Sequence, residues 1–412
     1  MRIAWIGGVG LGGGVGSLGT MLMEAVLKSG VHVDFYGDDA DISDYLKSFS
    51  GLKIISTSPQ WSWGKWYSRT AFMAFLTGTY ARVKAYNKQC DKLMVRHKTQ
   101  KYDCIFQLSQ TELFKLINHI DKLPPIIVYP CVHAAGELYW HREESKYALQ
   151  SESIIQHYVT RVYLSYRAFS QKRSMRKPTI VIGMSERFNR LISVDYEISP
   201  DRQSVLHQPV RPLPQDIIEQ SEKLSNERQK IRMLLVSRIS VRKGVQYIVE
   251  LSHRLDDLAG EIQIDVIGDR SQWSDYLSHL NQLNPKTANY LGGMKHEDVS
   301  KAYQDSDILL APSLYEPGGI VVGEALSYGL CVVASDAIGS AEMVHAPCLR
   351  EFTAGNMDEF EQVVRQLVSD LKYDRQGLRQ EARKQSIINY SPDDIAEKLI
   401  TILNQAIAQA QI

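Results

Sequence analysis

Residues 307–345, DILLAPSLYEPGGIVVGEALSYGLCVVASDAIGSAEMVH, decide the fold. Asp307 to Ser313 is a continuous apolar run ending in Pro-Ser, which reads as a short buried strand. Leu314 to Gly319 reads as a loop, a helix opens at Ile320 and stops at Gly329, and Cys331 to Ser335 reads as a second buried strand. This is a βαβ unit, so the chain is α/β. The loop holds Glu316, and Glu324 follows eight positions later in the first turns of the helix. Between them, Gly318 and Gly319 lead bare backbone N–H groups into a helix N-terminus. Such an end carries roughly half a unit of positive charge and donors with no partner in the helix. It can hold a phosphate or a sugar hydroxyl, and two carboxylates beside it can accept hydrogen bonds from further hydroxyls. That is the chemistry of a sugar nucleotide.

Moving outward, Ile231 to Val236 reads as an earlier strand of the same domain, and it runs into SRISVRKG with a helix from Val245. Arg238 and Lys243 flank that strand end and helix start, where two cations suit a diphosphate. Ile262 to Gly268 is another strand, ending VIGD. The E-x7-E spacing after a PS strand, the EAL-x-x-G and VVAS segments, and the R-x4-K pair together resemble family four of the retaining glycosyltransferases (glycosyl transferases group 1). The EPGG loop is similar to that of the starch and glycogen synthases. The resemblance implies a GT-B fold: two doubly wound Rossmann-like domains facing across a cleft, with a C-terminal helix crossing back to the first. It places Glu316 at the donor sugar and Glu324 at the ribose hydroxyls. It puts Gly318, Gly319 and Ile320 along the donor, Arg238 and Lys243 on the diphosphate, and Met294 in the segment that meets the nucleobase. In the first domain it implicates a glycine loop, here Gly13 and Gly14, and a histidine beside the reaction centre, here His133. His133 follows the strand Ile126 to Cys131, where ligands bind in open α/β sheets.

The N-terminus offers a competing reading. Ile3 to Ile6 is a strand, Gly7 to Gly16 a loop with seven glycines, Ser17 an N-cap for a helix to Lys28, and Val31 to Tyr36 a second strand. Gly8, Gly10 and Gly13 spell G-x-G-x-x-G, as do Gly14, Gly16 and Gly19, and Asp34 closes the second strand. That pattern is the dinucleotide fingerprint of an NAD-dependent dehydrogenase, although so dense a run of glycines contains it by chance.

Length fits two domains: 1–212, ending in the stiff QPVRP connector, 213–388, and a final segment 389–412 packing back on the first. Helices are expected at 357–371, 376–388 and from Asp393 to Gln409. The net charge of zero hides a division. Residues 1–212 hold 27 Lys/Arg against 18 Asp/Glu, or +9, leaving 20 against 29, or −9, for the remainder. Residues 53–101 contain ten bases and one acid, Asp91, among the aromatics Trp61, Trp63, Trp66, Phe72 and Phe75. This stretch reads as a core helix with a basic face, or as a surface for anionic lipid. A further helix, about Glu152 to Ser174, is basic towards its end.

Five scattered cysteines without C-x-x-C spacing point to a reducing compartment. The glycine-rich start does not read as a signal peptide, and no run is long enough to span a bilayer. The expectation is a cytoplasmic protein, peripheral on the inner face of the cell membrane if its acceptor is anchored there. Neither D-x-D, at Asp39 and Asp41 or at Asp305 and Asp307, reads as a metal site, because the second begins a core strand. No metal or other cofactor is expected, since Arg238 and Lys243 supply the charge. The implied activity is retaining transfer of a hexose from a nucleotide sugar to a hydroxyl of a lipid-linked oligosaccharide or polysaccharide precursor. UDP-glucose is the first choice of donor and GDP-mannose the second, and no nucleic acid is expected as a partner. The rivals are a nucleotide-sugar epimerase of the same fold, the dehydrogenase, and a non-catalytic sensor of sugar nucleotides.

Overall fold

The computed structural model describes residues 1–412 apart from 11–12, 58–60, 63–64, 70, 110–111, 152, 271–275 and 411–412. Two all-parallel sheets hold the strands. The first comprises β1 (Arg2–Ile6), β2 (His32–Gly37), β3 (Leu52–Ser56), β4 (Cys104–Ser109), β5 (Ile126–Pro130), β6 (Ile180–Gly183) and β7 (Gln203–Val205). Their order is β3-β2-β1-β4-β5-β6-β7. The second comprises β8 (Ile231–Val236), β9 (Ile262–Ile267), β10 (Ala288–Gly292), β11 (Ile308–Ala311), β12 (Cys331–Ser335) and β13 (Leu349–Phe352), in the order β10-β9-β8-β11-β12-β13. The central strands β5, β11 and β12 are buried along their whole length, as continuous apolar runs covered on both faces must be. Strands β3, β7 and β13 escape a reading based on apolar runs, and all three are sheet edges with mixed burial. In both sheets the strand order reverses once, between β1 and β4 and between β8 and β11. The loops at the carboxyl ends there line the crevice in which open α/β sheets bind ligands.

The chain forms two compact units, each discontinuous in sequence. One is Met1–Ala135 with Val162–Pro209 and Pro392–Ile412; the other is Gly136–Arg161 with Val210–Ser391. The continuous division at 212/213 is therefore too simple. The division falls at Pro209/Val210, and residues 136–161 group with the second sheet. There Tyr247 donates to Glu144 Oε1 at 3.1 Å, and Tyr147 meets His279 edge-on. In the first unit the Pro392–Gln409 helix packs on the Gly13–Lys28 helix and against β4 and β5. Residues 357–389 form one helix interrupted at Asp374, where φ is −142° and ψ 71°.

Two expectations at the N-terminus are corrected. The first helix starts at Gly13 rather than after a Ser17 cap. Its glycines allow it to press onto the loop: a Cβ on Gly16 would lie 2.8 Å from the Gly10 carbonyl oxygen, and one on Gly19 only 1.6 Å from that of Gly8. Thr20 Oγ1 seals the contact, donating to Gly16 O at 3.0 Å and lying 3.2 Å from Gly10 O. Asp34 does not close β2 but lies within it, 1% exposed. Its Oδ1 accepts from Arg2 Nη2 at 2.6 Å, and its Oδ2 accepts from Arg96 Nε and, at 2.6 Å, from Tyr102 Oη. A carboxylate that is 1% exposed and holds three donors of its own unit is engaged within the fold rather than presented to a ribose. The dehydrogenase reading loses its acid.

Candidate functional site

The second unit gathers charge at the β8/β11 switch point. After β8 the chain turns through 241–243, and Gly244 adopts φ 73°. A Cβ there would lie 2.0 Å from the Pro312 carbonyl oxygen, so this turn lies directly against the loop that follows β11. Leu314 N–H donates to Arg242 O at 2.8 Å and fixes the approach. Lys243 Nζ donates to Glu316 Oε2, each side chain being 18% exposed. Arg242 Nη1 donates to Tyr315 O at 2.9 Å and lies 3.4 Å from the same Glu316 oxygen. Burial alone would push the Glu316 carboxyl up, but Lys243 and Arg242 outweigh it and hold the group below its usual range. Burial also lowers the Lys243 ammonium, and Glu316 only partly restores it. Burial lowers the Arg242 guanidinium, but Glu316 and, after it, Glu137 outweigh this and hold it above its ordinary value.

The Glu316 loop is fastened from one side. Glu316 N–H donates to Ala337 O at 3.1 Å, Gly339 N–H to Glu316 O at 3.0 Å, and Ser340 N–H to Gly318 O at 2.7 Å. Ser340 Oγ donates to Gly319 O at 2.7 Å, and the buried Tyr390 hydroxyl donates to Ser340 O at 2.7 Å. Gly319 caps the Ile320–Ser327 helix with φ 97°, and a Cβ on it would meet Ile338 at 2.6 Å. Its lack of a side chain leaves the helix N-terminus uncapped, with backbone donors available there. Glu324, one turn further, accepts from Tyr303 Oη at 3.2 Å, and Tyr303 stacks on Tyr328 with centroids 5.3 Å apart.

The expected residues thus separate into groups. Lys243, Glu316, Gly318, Gly319, Ile320 and Glu324 lie on the two adjoining loops and the helix they open. Arg238 is exposed and makes no ion pair with Glu316; Arg242, which motif spacing passes over, takes that place. Met294 follows β10 and lines a cleft of about 450 Å³ together with Leu291, Arg232, Asp265 and Lys301, and neither Lys243 nor Glu316 lines it. Asp305 and Asp307 are engaged by arginines: Arg228 reaches Asp305 at 2.9 Å and Asp307 at 3.1 Å, and Arg232 reaches Asp305. Tyr390 and Ser340 carry no motif, and only their long-range bond reveals them.

In the first unit, Gly7, Gly8 and Gly10 take φ 75°, 63° and 153° at the carboxyl end of β1. Gly13 and Gly14 are the first residues of the following helix rather than part of the loop. His133 is 2% exposed, with Nε2 2.7 Å from Asp195 Oδ2 and its ring edge-on to Tyr196. Of the aromatics in 53–101, Trp61 donates to Thr77 at 2.9 Å and Trp66 is exposed. Trp63 and the side chains of Phe72 and Phe75 lie outside the described residues.

Comparison with known proteins bears on the second unit and on the fold. The family model for glycosyl transferases group 1 matches residues 216–385. That segment lies within the second unit and holds Arg238, Lys243, Glu316 and Glu324. An uncharacterized glycosyltransferase of Methanocaldococcus jannaschii is 26% identical over 231 residues, covering 54% of this chain and 59% of the relative. A glycogen synthase of Clostridium botulinum is 31% identical over 131 residues, 31% of this chain and 27% of the relative. The chain therefore spans well under two thirds of these relatives. The crystal structure of HepE from Anabaena in complex with UDP superposes with a TM-score of 0.62 at 15% identity, covering 98% of this chain and all of the other. That likeness concerns the fold: two parallel-sheet α/β units of the GT-B type.

Proposed function

We propose that this chain, similar over residues 216–385 to glycosyl transferases group 1, acts as a retaining, metal-independent glycosyltransferase that moves a hexose from a nucleotide sugar to a hydroxyl. The observation that carries the reading is the convergence of Lys243, Arg242 and Glu316 beside the uncapped helix start at Gly319. In the free protein Lys243 neutralises Glu316. A donor diphosphate replaces Glu316 as the partner of Lys243, with Arg238 as the second cation, and the freed carboxylate accepts from hydroxyls of the sugar. As the bond to the leaving diphosphate breaks, Lys243 and the amides at Gly318, Gly319 and Ile320 stabilise the charge that develops. The acceptor hydroxyl attacks from the face the diphosphate leaves. Glu324 holds the ribose, and Met294 marks the base segment.

UDP-glucose is the favoured donor, supported by the UDP in the HepE complex and the similarity to glycogen synthase, with GDP-mannose next. The acceptor is a lipid-linked oligosaccharide or polysaccharide precursor, met by a cytoplasmic enzyme in peripheral contact with anionic membrane. A nucleotide-sugar epimerase would use the same donor contacts and is separated by its product.

Calorimetric titration with UDP, GDP, UDP-glucose and NADH tests the reading. UDP binds and NADH does not; Glu324→Gln weakens UDP by about 1–2 kcal/mol, because a charge-assisted bond to the ribose becomes a neutral one. Unchanged affinity in that variant removes Glu324 from the ribose, and binding of NADH alone overturns the reading. Nuclear magnetic resonance of the transferred sugar's anomeric proton then reports retention or inversion.

A further inference from the structure

The Ile154–Met175 helix is amphipathic in the inverted sense. Its buried positions are His157, Leu164, Gln171, Ser174 and Met175, three of the five polar. Its outward side chains include Ile154, Ile155, Tyr158, Val162, Tyr166 and Phe169, each between 53% and 79% exposed. Steps of mostly three and four residues set these on one face. Apart from Ser153 at the N-cap side, the other exposed positions up to Met175 are Ser165 and Arg173. The 22-residue helix contains no Asp or Glu, while Arg161, Arg167, Lys172 and Arg173 make it basic. Arg176 and Lys177, both exposed, extend the cationic end. Arg167 pairs with Glu112 at 2.8 Å, and at the C-terminal end Glu197 is the acid bonded among the described residues, shared by Lys172 at 2.7 Å and Arg176, so a positive excess remains at that end. The Ala71–Thr99 helix, whose Arg82 lies within electrostatic reach of Tyr163 and Arg167, exposes Leu76 and Tyr80 as well.

A soluble helix turns such a face inward; this one directs it at solvent and ends it in exposed cations. We propose that the outward face of Ile154–Met175 docks on a bilayer surface containing anionic lipid. Phe169 and the aliphatic side chains enter the head-group boundary, Tyr158 and Tyr166 keep their hydroxyls at the polar level, and Arg173, Arg176 and Lys177 meet lipid phosphates. The cationic end formed by Lys172, Arg173, Arg176 and Lys177 complements anionic lipid, which commits the face to a bilayer; a second copy of the chain is an outcome of the test. The inference deepens the reading of a membrane-anchored acceptor, on which it rests, and gives the contact a surface other than the basic stretch 53–101.

Flotation of the full chain on phosphatidylcholine vesicles with and without phosphatidylglycerol tests it. The wild type floats with phosphatidylglycerol vesicles at low salt and less at high salt, where exposed charges are screened. Tyr166→Glu combined with Phe169→Glu reduces binding about tenfold or more. Both positions are exposed, so the unfolding midpoint and UDP affinity stay as in the wild type. Lys84→Glu with Lys88→Glu and Lys92→Glu, on the other helix, weakens binding less. Three results overturn the inference: no flotation of the wild type, equal flotation of the Tyr166/Phe169 variant, or a concentration-dependent dimer in sedimentation that the same variant dissolves while vesicles have no effect. Failure of UDP to bind by a protein that still floats refutes the donor reading and leaves the docking face standing.

Discussion

At the carboxyl end of β1 the chain places Gly7, Gly8 and Gly10, all with positive φ, and packs a glycine-bearing helix onto them; at the corresponding end of β8 it places Arg242 and Lys243 facing Glu316. Both loops sit where a parallel sheet reverses its strand order, so topology offers the same crevice twice. The first is built from backbone at close approach, and Asp34, the acid nearest to it in the pattern, is consumed within the fold by Arg2, Arg96 and Tyr102. The second holds ionisable groups part-buried, where each changes the other's titration. The contrast teaches that strand order decides where a ligand can bind, whereas the partners already satisfied inside the fold decide which groups remain for it.

The sharpest way to break this comparison is Lys243→Ala. Removal of a group that stabilises a leaving charge lowers turnover about a hundredfold or more. Arg242 stays beside Glu316, so the unfolding midpoint moves less than activity does. Donor hydrolysis and transfer near wild-type rates would strip the second loop of its assigned chemistry.

Gly19→Ala addresses the first loop through packing. A methyl 1.6 Å from Gly8 O forces backbone to move, and overpacking of this kind costs about 1–3 kcal/mol in denaturant unfolding. A neutral result would show that the glycine loop is not held by its helix.

Tyr390→Phe has a smaller expected effect. It leaves Ser340 O without its donor, and loss of one buried hydrogen bond costs about 1 kcal/mol, read as a lower midpoint in urea. If stability is unchanged and UDP binding is also unaffected, Tyr390 does not brace the Glu316 loop.

The finest probe is pH. Glu316 is held below the ordinary glutamate value of 4.5, so its contribution to stability is complete above that value and is lost as pH falls through the lower folded one. Lys243 is held below 10.5, so on the alkaline side the pair loses its charge earlier than an exposed lysine would. In donor-free thermal unfolding, Glu316→Gln should flatten the acid limb below pH 4.5. Parallel limbs in the two proteins would mean that the pair adds nothing to the folded state.

What the sequence by itself determined is the α/β class, the buried strands β8 and β12 to the residue, the helix start at Val245, and the nearness of a glycine turn to two acids. These are local properties: a strand covered on both faces must be a short apolar run, and a loop between strand and helix must satisfy its own turn geometry. Edge strands β3, β7 and β13 have one open side and no such signature. The tertiary structure alone decided that Arg242 rather than Arg238 reaches Glu316 across 74 positions, that Tyr390 holds Ser340 across 50, that Asp34 is spent in the core, and that the Ile154–Met175 helix faces its apolar side outward. Each depends on which distant groups compete for one donor, acceptor or buried surface, and that competition is settled only when the chain has closed.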